Sequence, residues 1–406
     1  MQIRFMQRVD YWLGIPLCFF ASLLRRLIDL FIPPSSKPPS KILFIELSEM
    51  GSAIIAYSAM HKAEKMVGRE NLYFLIFEKN RESVDLLAKI PAENVITIDD
   101  SSLPRFLAGA LRAVITLRKL SIDAVVDLEL FSRCTALLSY ACGARIRAGF
   151  YNYSEEGLYR GSLFTHRVYY NSTQHMALNF LALVGSLDAD TRDFPLVKKN
   201  FSGELRPAPR FIPSEEESRA IQQLLDSSGF KRDDECRLIV LNPDPGLLQL
   251  RGWPLENYGH LVSQLSVNRG KTVFAVIGLS RSHSYYKAVS QAAPAARVID
   301  LTGKTRNLRE VLALLSVSDL LITTDSGPAH MAVLTGINSI VLFGPETPLR
   351  YAPLSPGTVT MFAGLSCSPC YSAANHRHSV CRNNVCMQAI TVKEVLSRVE
   401  GMLGFT

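Results

Sequence analysis

The 406-residue chain is long enough for two domains, each with its own apolar core. Hydrophobic residues make up 48% of it and charged residues 20%, a balance that excludes an intrinsically disordered chain. The net charge of +7 is spread along the sequence without a long Lys/Arg block. We therefore expect no nucleic-acid partner, and consider an anionic substrate or an anionic membrane surface instead.

Residues 1–40 are predicted to form a membrane-associating segment followed by a Pro-rich linker. Residues 11–24 (YWLGIPLCFFASLL) are apolar, but a membrane span needs about 20 such residues. A secretory signal is disfavoured because Arg25 and Arg26 follow, rather than a small-residue cleavage site. Apolar positions 24, 27, 28 and 31 predict a helix in the membrane interface, entered by a turn at Gly14 and Pro16. The alternative is a helix packed on its own domain. Residues 33–40 (PPSSKPPS) are predicted to be a stiff linker.

From residue 41 onward, apolar runs typical of strands alternate with helical stretches. The runs cover residues 41–47, 72–77, 95–98, 124–128, 237–243, 271–278, 297–301, 320–323 and 339–343. This alternation predicts parallel sheets flanked by helices, that is, the α/β class. Residues 207–213 (PAPRFIP) look like a connection between domains. We predict two doubly wound Rossmann-like domains facing a cleft, at residues 41–206 and 207–406. Neither half carries G-x-G-x-x-G or a Walker loop, which disfavours dehydrogenases and P-loop enzymes.

The sequence DSGPAH, residues 325–330, lies between a predicted buried strand and a predicted helix. Open α/β sheets bind ligands at the carboxyl ends of their strands, and helix N-termini present free N–H groups to anions. Gly327 permits a close backbone approach, and Pro328 suits a first helical turn because it lacks an N–H. The stretch therefore predicts an anion site.

Four segments of the second half, taken together, resemble one family. They are LNPDPGLLQLRGWPLENYGHLV, VIGLSRSHSYY, DLTGKTRNLREVLALLSVSDLLITTDSGPAHMAVLTG and VLFGPETP. In this order and spacing they are similar to glycosyltransferase family 9, the ADP-heptose:lipopolysaccharide heptosyltransferases. KILFIELSEMGSAIIAYSAM adds a weaker match in the first half. The resemblance implies the two-domain GT-B fold, a nucleotide-sugar donor in the C-terminal domain and an acceptor in the N-terminal domain. It also implies inversion of the anomeric centre and no metal cofactor for catalysis.

The resemblance implies that the anion is the diphosphate of a sugar nucleotide. His330 would donate a hydrogen bond to phosphate, and Asp325 would hold sugar or ribose hydroxyls or brace the loop. The alternative is that Asp325 only caps the helix and His330 only packs. Arg251 would neutralise the diphosphate, unless it is a solvated surface arginine. The predicted donor-binding residues are Asn242, Arg251, Gly278, Thr302, Gly303, Lys304, Thr324, Asp325, Ser326, Gly327 and His330.

The sequence departs from the family at the catalytic base. Heptosyltransferases carry Gly-Asp in the first strand-to-helix loop, whereas this chain has Gly51 and Ser52, which we assign to an acceptor-side loop. An inverting transferase needs a base, and a serine cannot accept the proton unaided. We predict Glu49 as the base because it faces the cleft, whereas Glu46 alternates within the strand. A structural or acceptor-binding Glu49 is the open alternative.

Four cysteines cluster near the C-terminus as Cys367-x2-Cys370-x10-Cys381-x4-Cys386. Paired cysteines at this spacing suit a closed, structural zinc site, in which His376 or His378 could replace one thiolate. Two disulfides are the alternative, and a cytoplasmic nucleotide sugar favours zinc.

We therefore predict an inverting glycosyltransferase at the cytoplasmic face of the inner membrane, either peripheral or monotopic. ADP-heptose is the favoured donor, and the acceptor is a lipid-linked glycan such as the lipopolysaccharide core. One alternative is another nucleotide sugar used in capsule or exopolysaccharide assembly. The other is a non-catalytic protein that binds a sugar nucleotide.

Overall fold

A computed structural model describes residues 3–29, 37–151, 159–231, 236–268, 272–373 and 378–404 of the chain. The chain divides into two compact units between Pro207 and Ala208. The first part of the predicted linker, residues 33–36, and the predicted alternative ligand His376 lie outside the described residues.

The first unit alternates strands and helices, as the apolar pattern predicts. Its strands are β1 (Ile42–Ile45), β2 (Leu72–Phe77), β3 (Val95–Ile98), β4 (Ala124–Asp127), β5 (Ile146–Tyr151) and β6 (His166–Tyr169). Its helices are α1 (Ile3–Trp12), α2 (Gly14–Asp29), α3 (Met50–Ile55), α4 (Tyr57–Val67), α5 (Glu82–Asp85), α6 (Leu103–Lys119), α7 (Arg133–Ala141) and α8 (Met176–Gly185).

The second unit repeats the plan. Its strands are β7 (Arg237–Asn242), β8 (Thr272–Val276), β9 (Arg297–Asp300), β10 (Leu320–Thr324), β11 (Asn338–Phe343) and β12 (Thr358–Phe362). Its helices are α9 (Glu215–Ser227), α10 (Leu255–Asn268), α11 (His283–Ala292), α12 (Leu308–Ser316), α13 (Gly327–Thr335), α14 (Pro348–Tyr351), α15 (Val385–Gln388) and α16 (Val392–Leu403).

Each unit contains a six-stranded sheet with parallel pairing. The strand orders are β3-β2-β1-β4-β5-β6 and β12-β11-β10-β7-β8-β9, so both are doubly wound. In the second sheet Leu320 pairs with both Ile239 and Asn338, which places β10 between β7 and β11. The carboxyl ends of β7 and β10 therefore meet where the chain reverses its direction across the sheet. The first sheet has the same reversal between β1 and β4.

The N-terminal helices belong to the first unit. Both α1 and α2 pack on α7. The turn between them lies at Leu13, so the predicted turn at Gly14 and Pro16 is misplaced by a residue or more: both residues are in the first turn of α2. Among the described residues, no helix combines the length and the apolar character needed to cross a membrane.

Candidate functional site

The loop between β10 and α13 lies at the reversal point of the second sheet. Ser326 is the N-cap of α13, but its side chain makes no capping bond, since the hydroxyl donates to the Thr324 carbonyl oxygen (3.1 Å). The Asn242 amide, at the end of β7, donates to the hydroxyl oxygens of Thr323 (3.0 Å) and Ser326 (3.2 Å). Gly327 and a proline open α13. The neighbouring strand β7 thus holds the loop, and the Ser326 side chain does not cap the N-terminus of α13.

Arg251 and Asp325 form an ion pair beside this helix. The Arg251 Nη2 atom lies 3.2 Å from Asp325 Oδ2, and Nη1 donates to the Asp325 carbonyl oxygen at 3.0 Å. Both side chains are largely buried. Burial raises the pKa of the Asp325 carboxyl, and the Arg251 charge opposes that shift. Arg251 is therefore not a solvated surface arginine, and Asp325 is not the helix cap, so these two predicted alternatives are wrong.

Three buried polar atoms around this pair have no hydrogen-bond partner within the described part of the chain. They are Arg251 Nε, Asp325 Oδ2 and Thr324 Oγ1. The contact of Asp325 Oδ2 with Arg251 is close enough for an ion pair but is not aligned as a hydrogen bond. Buried polar atoms are normally satisfied, so such a group next to a helix N-terminus indicates a place for a polar ligand.

A second buried ion pair, which the sequence analysis missed, lies in the same electrostatic neighbourhood. Glu346 Oε1 is 2.8 Å from Arg350 Nη2, and both side chains are buried. Burial raises the pKa of Glu346 to about 7, the Arg350 charge opposes this, and Asp325 and Arg251 also act on the group. The signal was present in VLFGPETP and the following LR, where Glu346 and Arg350 are four residues apart.

The loops after β8 and β9 contact each other at the same edge of the sheet. The Gly303 N–H donates to the Gly278 carbonyl oxygen (2.8 Å). Gly303 has φ +67°, and a Cβ there would lie 2.3 Å from Ser280 Oγ, so the turn requires glycine. The Thr302 hydroxyl donates to Asp300 and braces its own loop. Lys304 is exposed, whereas His330, in the first turns of α13, is buried.

Asp244, just beyond β7, is a further residue of this edge that the sequence analysis missed. Its carboxylate accepts hydrogen bonds from Ser282 Oγ (2.5 Å) and from the Gly246 N–H (2.8 Å). An aspartate within the PDPG turn of LNPDPG could have been recognised as a turn-forming residue. It ties the loop after β7 to the loop after β8.

The proposed base lies at the reversal point of the first sheet. Glu49 is the N-cap of α3, and the Ser52 hydroxyl donates to Glu49 Oε2 (2.8 Å). Gly51 and Ser52 are residues of α3, so their assignment to a loop is wrong. Glu46 follows β1 rather than alternating within it. It is buried, and its Oε1 atom accepts the Glu49 N–H (3.2 Å).

Glu129, which the sequence analysis did not consider, holds this turn from the end of β4. Its Oε1 atom accepts the Leu47 N–H (3.0 Å), the Ser48 N–H (3.0 Å) and the Ser48 hydroxyl (2.9 Å). Three donors on one carboxylate oxygen fix the path of the chain into α3. Glu129 lies 80 residues after Glu49 in the sequence (129 − 49). The sequence spacing therefore gave no indication that Glu129 helps to position Glu49.

Among the described residues, no cysteine of the cluster or elsewhere forms a disulfide bond. Cys367 is exposed and Cys386 buried, and the pKa of Cys386 is raised by burial and by the neighbouring Cys370, Cys367 and Cys381. The thiols are thus within electrostatic reach of one another. In the described ranges, however, no three His, Cys, Asp or Glu side chains are arranged to hold a metal ion. The geometry present therefore does not fit a formed metal site.

Comparisons with known proteins agree with this architecture. The sequence pattern of glycosyltransferase family 9 (heptosyltransferase) matches residues 111–380. The chain is 21% identical to the lipopolysaccharide core heptosyltransferase OpsX of Haemophilus influenzae, over 79% of this chain and 84% of that protein. Its fold is similar to that of a family 9 glycosyltransferase from Veillonella parvula (TM-score 0.68, 19% identity, 92% of this chain, 100% of that one). E. coli ADP-heptose lps heptosyltransferase II is also similar (TM-score 0.64, 19% identity, 89% and 98%).

Two doubly wound α/β units of this kind make up the GT-B fold. The chain belongs to glycosyltransferase family 9, and the predicted resemblance is confirmed.

Proposed function

We propose that this enzyme transfers heptose, with inversion, from ADP-heptose to a lipid-linked glycan such as the lipopolysaccharide core. The family description and the heptosyltransferase names of its relatives support this donor and acceptor class. A lipid-linked acceptor would place the enzyme at the cytoplasmic face of the inner membrane.

The unsatisfied polar atoms beside the N-terminus of α13 carry the proposal. A diphosphate there would accept hydrogen bonds from Arg251 Nε, from the Thr324 hydroxyl and from the first N–H groups of α13. The helix dipole stabilises the charge that develops on the leaving diphosphate. Asp325, which already offsets the Arg251 charge, is suited to accept hydrogen bonds from sugar or ribose hydroxyls.

The other predicted donor residues would complete the pocket around this centre. Asn242 and Ser326 hold the loop, Gly327 admits the diphosphate, and His330 lies one turn further along the same helix. Gly278, Thr302 and Gly303 would shape the nucleoside side of the edge. Lys304, exposed after β9, would supply a cation there.

Glu49 would act as the base in a single displacement. The acceptor oxygen bonds to the anomeric carbon as the bond from that carbon to the diphosphate breaks, and the acceptor proton passes to the Glu49 carboxylate. Ser52 would orient this carboxylate through the hydrogen bond to Oε2. Ser52 stands where heptosyltransferases carry aspartate. Because of this difference, transfer from another nucleotide sugar or to another acceptor is the second candidate function.

Nucleotide binding tests the donor. We expect ADP and ADP-heptose to raise the thermal unfolding temperature of the full chain, with UDP, GDP and CMP as controls. A ligand at 100 times its Kd stabilises the folded state by about 2.7 kcal/mol, which differential scanning fluorimetry resolves. Selective stabilisation by UDP or GDP would show that ADP-heptose is not the donor and would favour the second candidate function. Stabilisation by no nucleotide would contradict the placement of the donor site.

We also propose that Cys367, Cys370, Cys381 and Cys386 close around a structural zinc ion when metal is present. The paired spacing of the cysteines and the electrostatic effect of the other three on Cys386 support this, although their described geometry is not that of a formed site. We expect one zinc per chain by mass spectrometry of metals, falling to background in Cys367→Ser/Cys370→Ser. Cys236→Ser, at a buried thiol elsewhere, is the matched control. Metal-free native protein, or disulfides among these cysteines, would refute the proposal.

A further inference from the structure

The outward half of α2 is apolar and exposed. Helices α1 and α2 pack on each other as a helical hairpin whose corner is at Leu13. The corner and α2 expose ten large apolar side chains: Tyr11, Trp12, Leu13, Leu17, Phe19, Phe20, Leu23, Leu24, Leu27 and Ile28. Phe20 and Leu24 retain 64% and 52% of their surface. A continuous exposed apolar patch of this kind is rare on a protein that has no partner there.

The inward half of the hairpin is fixed by polar contacts to the first unit. Asp10 Oδ1 accepts the N–H groups of Arg133 (3.0 Å) and Cys134 (2.8 Å) at the start of α7. The Ser22 hydroxyl accepts the Ser162 N–H (2.8 Å), and Arg25 donates to the Phe164 carbonyl oxygen (3.1 Å). Because these contacts hold the inner side of the hairpin, its exposed apolar side chains keep a fixed direction relative to the first unit.

A second exposed apolar stripe lies on α6 of the same unit. On α6, Leu103, Leu107, Leu111 and Ile115 recur every four residues and are 37–62% exposed. Met6 of α1 and Ala110 and Val114 of α6 all pack against the same core cluster of the first unit. Leu107 and Leu111 precede these two residues by three positions and so adjoin them on the helix surface. We call the exposed apolar residues of the hairpin and of the α6 stripe together the apolar face.

We propose that the apolar face docks the first unit onto an anionic lipid bilayer. Exposed Arg8 and Arg26 lie on the hairpin and exposed Arg112 and Lys119 on α6, which favours anionic headgroups. The same cations, with the net charge of +7, disfavour a second copy of the chain as the occupant. Tyr11 and Trp12 at the hairpin corner are side-chain types that prefer the headgroup region. In this arrangement the hairpin lies in the membrane interface, and the exposed stripe of α6 also contacts the lipid.

The inference deepens the proposed function, because it names the surface through which the acceptor-side unit would meet a lipid-linked acceptor. Docking needs no turnover, so it can succeed or fail independently of the donor and acceptor assignments. Turnover on a water-soluble acceptor fragment, measured in parallel, distinguishes a failure of membrane docking from a failure of the proposed transferase activity.

Vesicle flotation of the full chain tests the docking. We expect binding to phosphatidylcholine vesicles that contain phosphatidylglycerol, and much weaker binding to phosphatidylcholine alone. Phe20→Gln/Leu24→Gln should weaken binding by at least about tenfold, and Leu107→Gln/Leu111→Gln by a smaller but measurable factor. Ile212→Gln/Val267→Gln changes two exposed apolar residues outside the apolar face and should bind as the parent does.

Three results would overturn the proposal. The parent chain could fail to float with anionic vesicles. The α6 variant could bind as the parent does, which would exclude α6 from the docking surface. The chain could also form a dimer in solution that dissociates in the Phe20→Gln/Leu24→Gln variant, which would show that a second copy of the chain covers the apolar face.

Discussion

Glu49→Gln is expected to lower kcat by about 100- to 10,000-fold while donor binding stays unchanged, because the amide cannot accept the acceptor proton. The substitution preserves side-chain size, and the Ser52 hydroxyl can still donate to the amide oxygen. Steady-state kinetics with calorimetric measurement of nucleotide affinity checks both halves of the expectation. Glu93→Gln, an exposed carboxylate in the same unit, is the matched control and should leave kcat unchanged.

Replacing Ser52 by aspartate provides a stricter test of the same site. Ser52→Asp in the Glu49→Gln background places a carboxylate at the position that heptosyltransferases use, and we expect it to restore part of the lost kcat. Full turnover in Glu49→Gln alone would show that Glu49 is not the base. Glu46, whose carboxylate accepts the Glu49 N–H, would then be the next residue to replace.

Arg251→Ala is expected to lower the stability of the second unit by about 3–5 kcal/mol, because it leaves the buried Asp325 carboxylate without its counter-charge. The same change should abolish selective nucleotide stabilisation, since it removes a donor to the diphosphate. Urea unfolding and nucleotide calorimetry measure the two effects. Arg237→Ala, which breaks a more exposed ion pair with Asp319 at the other end of β7, should cost at most about 1 kcal/mol.

The double change Arg251→Ala/Asp325→Ala separates stability from binding. Removing both charges leaves no unpaired ion, so much of the stability should return relative to Arg251→Ala. Donor binding should remain lost. If the double variant binds nucleotide as tightly as the parent, the pair only braces the loop and the donor site lies elsewhere.

The sequence alone determined the fold class and the edge of the second sheet at which the candidate site lies. Central parallel strands are covered on both faces, so runs such as residues 320–322 are continuously apolar and easy to recognise. The strands that sequence analysis missed carry a different composition. β6 and β12 are sheet edges with half-exposed positions, and β5 contains an arginine, Arg147, whose charge is buried.

Only the tertiary structure decided which side chains meet. Asp325 pairs with Arg251 across 74 residues (325 − 251), and Glu129 fixes the turn that precedes Glu49 from a neighbouring strand. Likewise, the sequence showed that α2 is amphipathic, but not that its inner face docks on α7 while its outer face stays exposed. Periodicity reports how a segment is buried, because burial follows from local spacing. Ion pairs and docked faces depend on which strand ends and helices the sheet order brings together, and that order is a property of the folded chain.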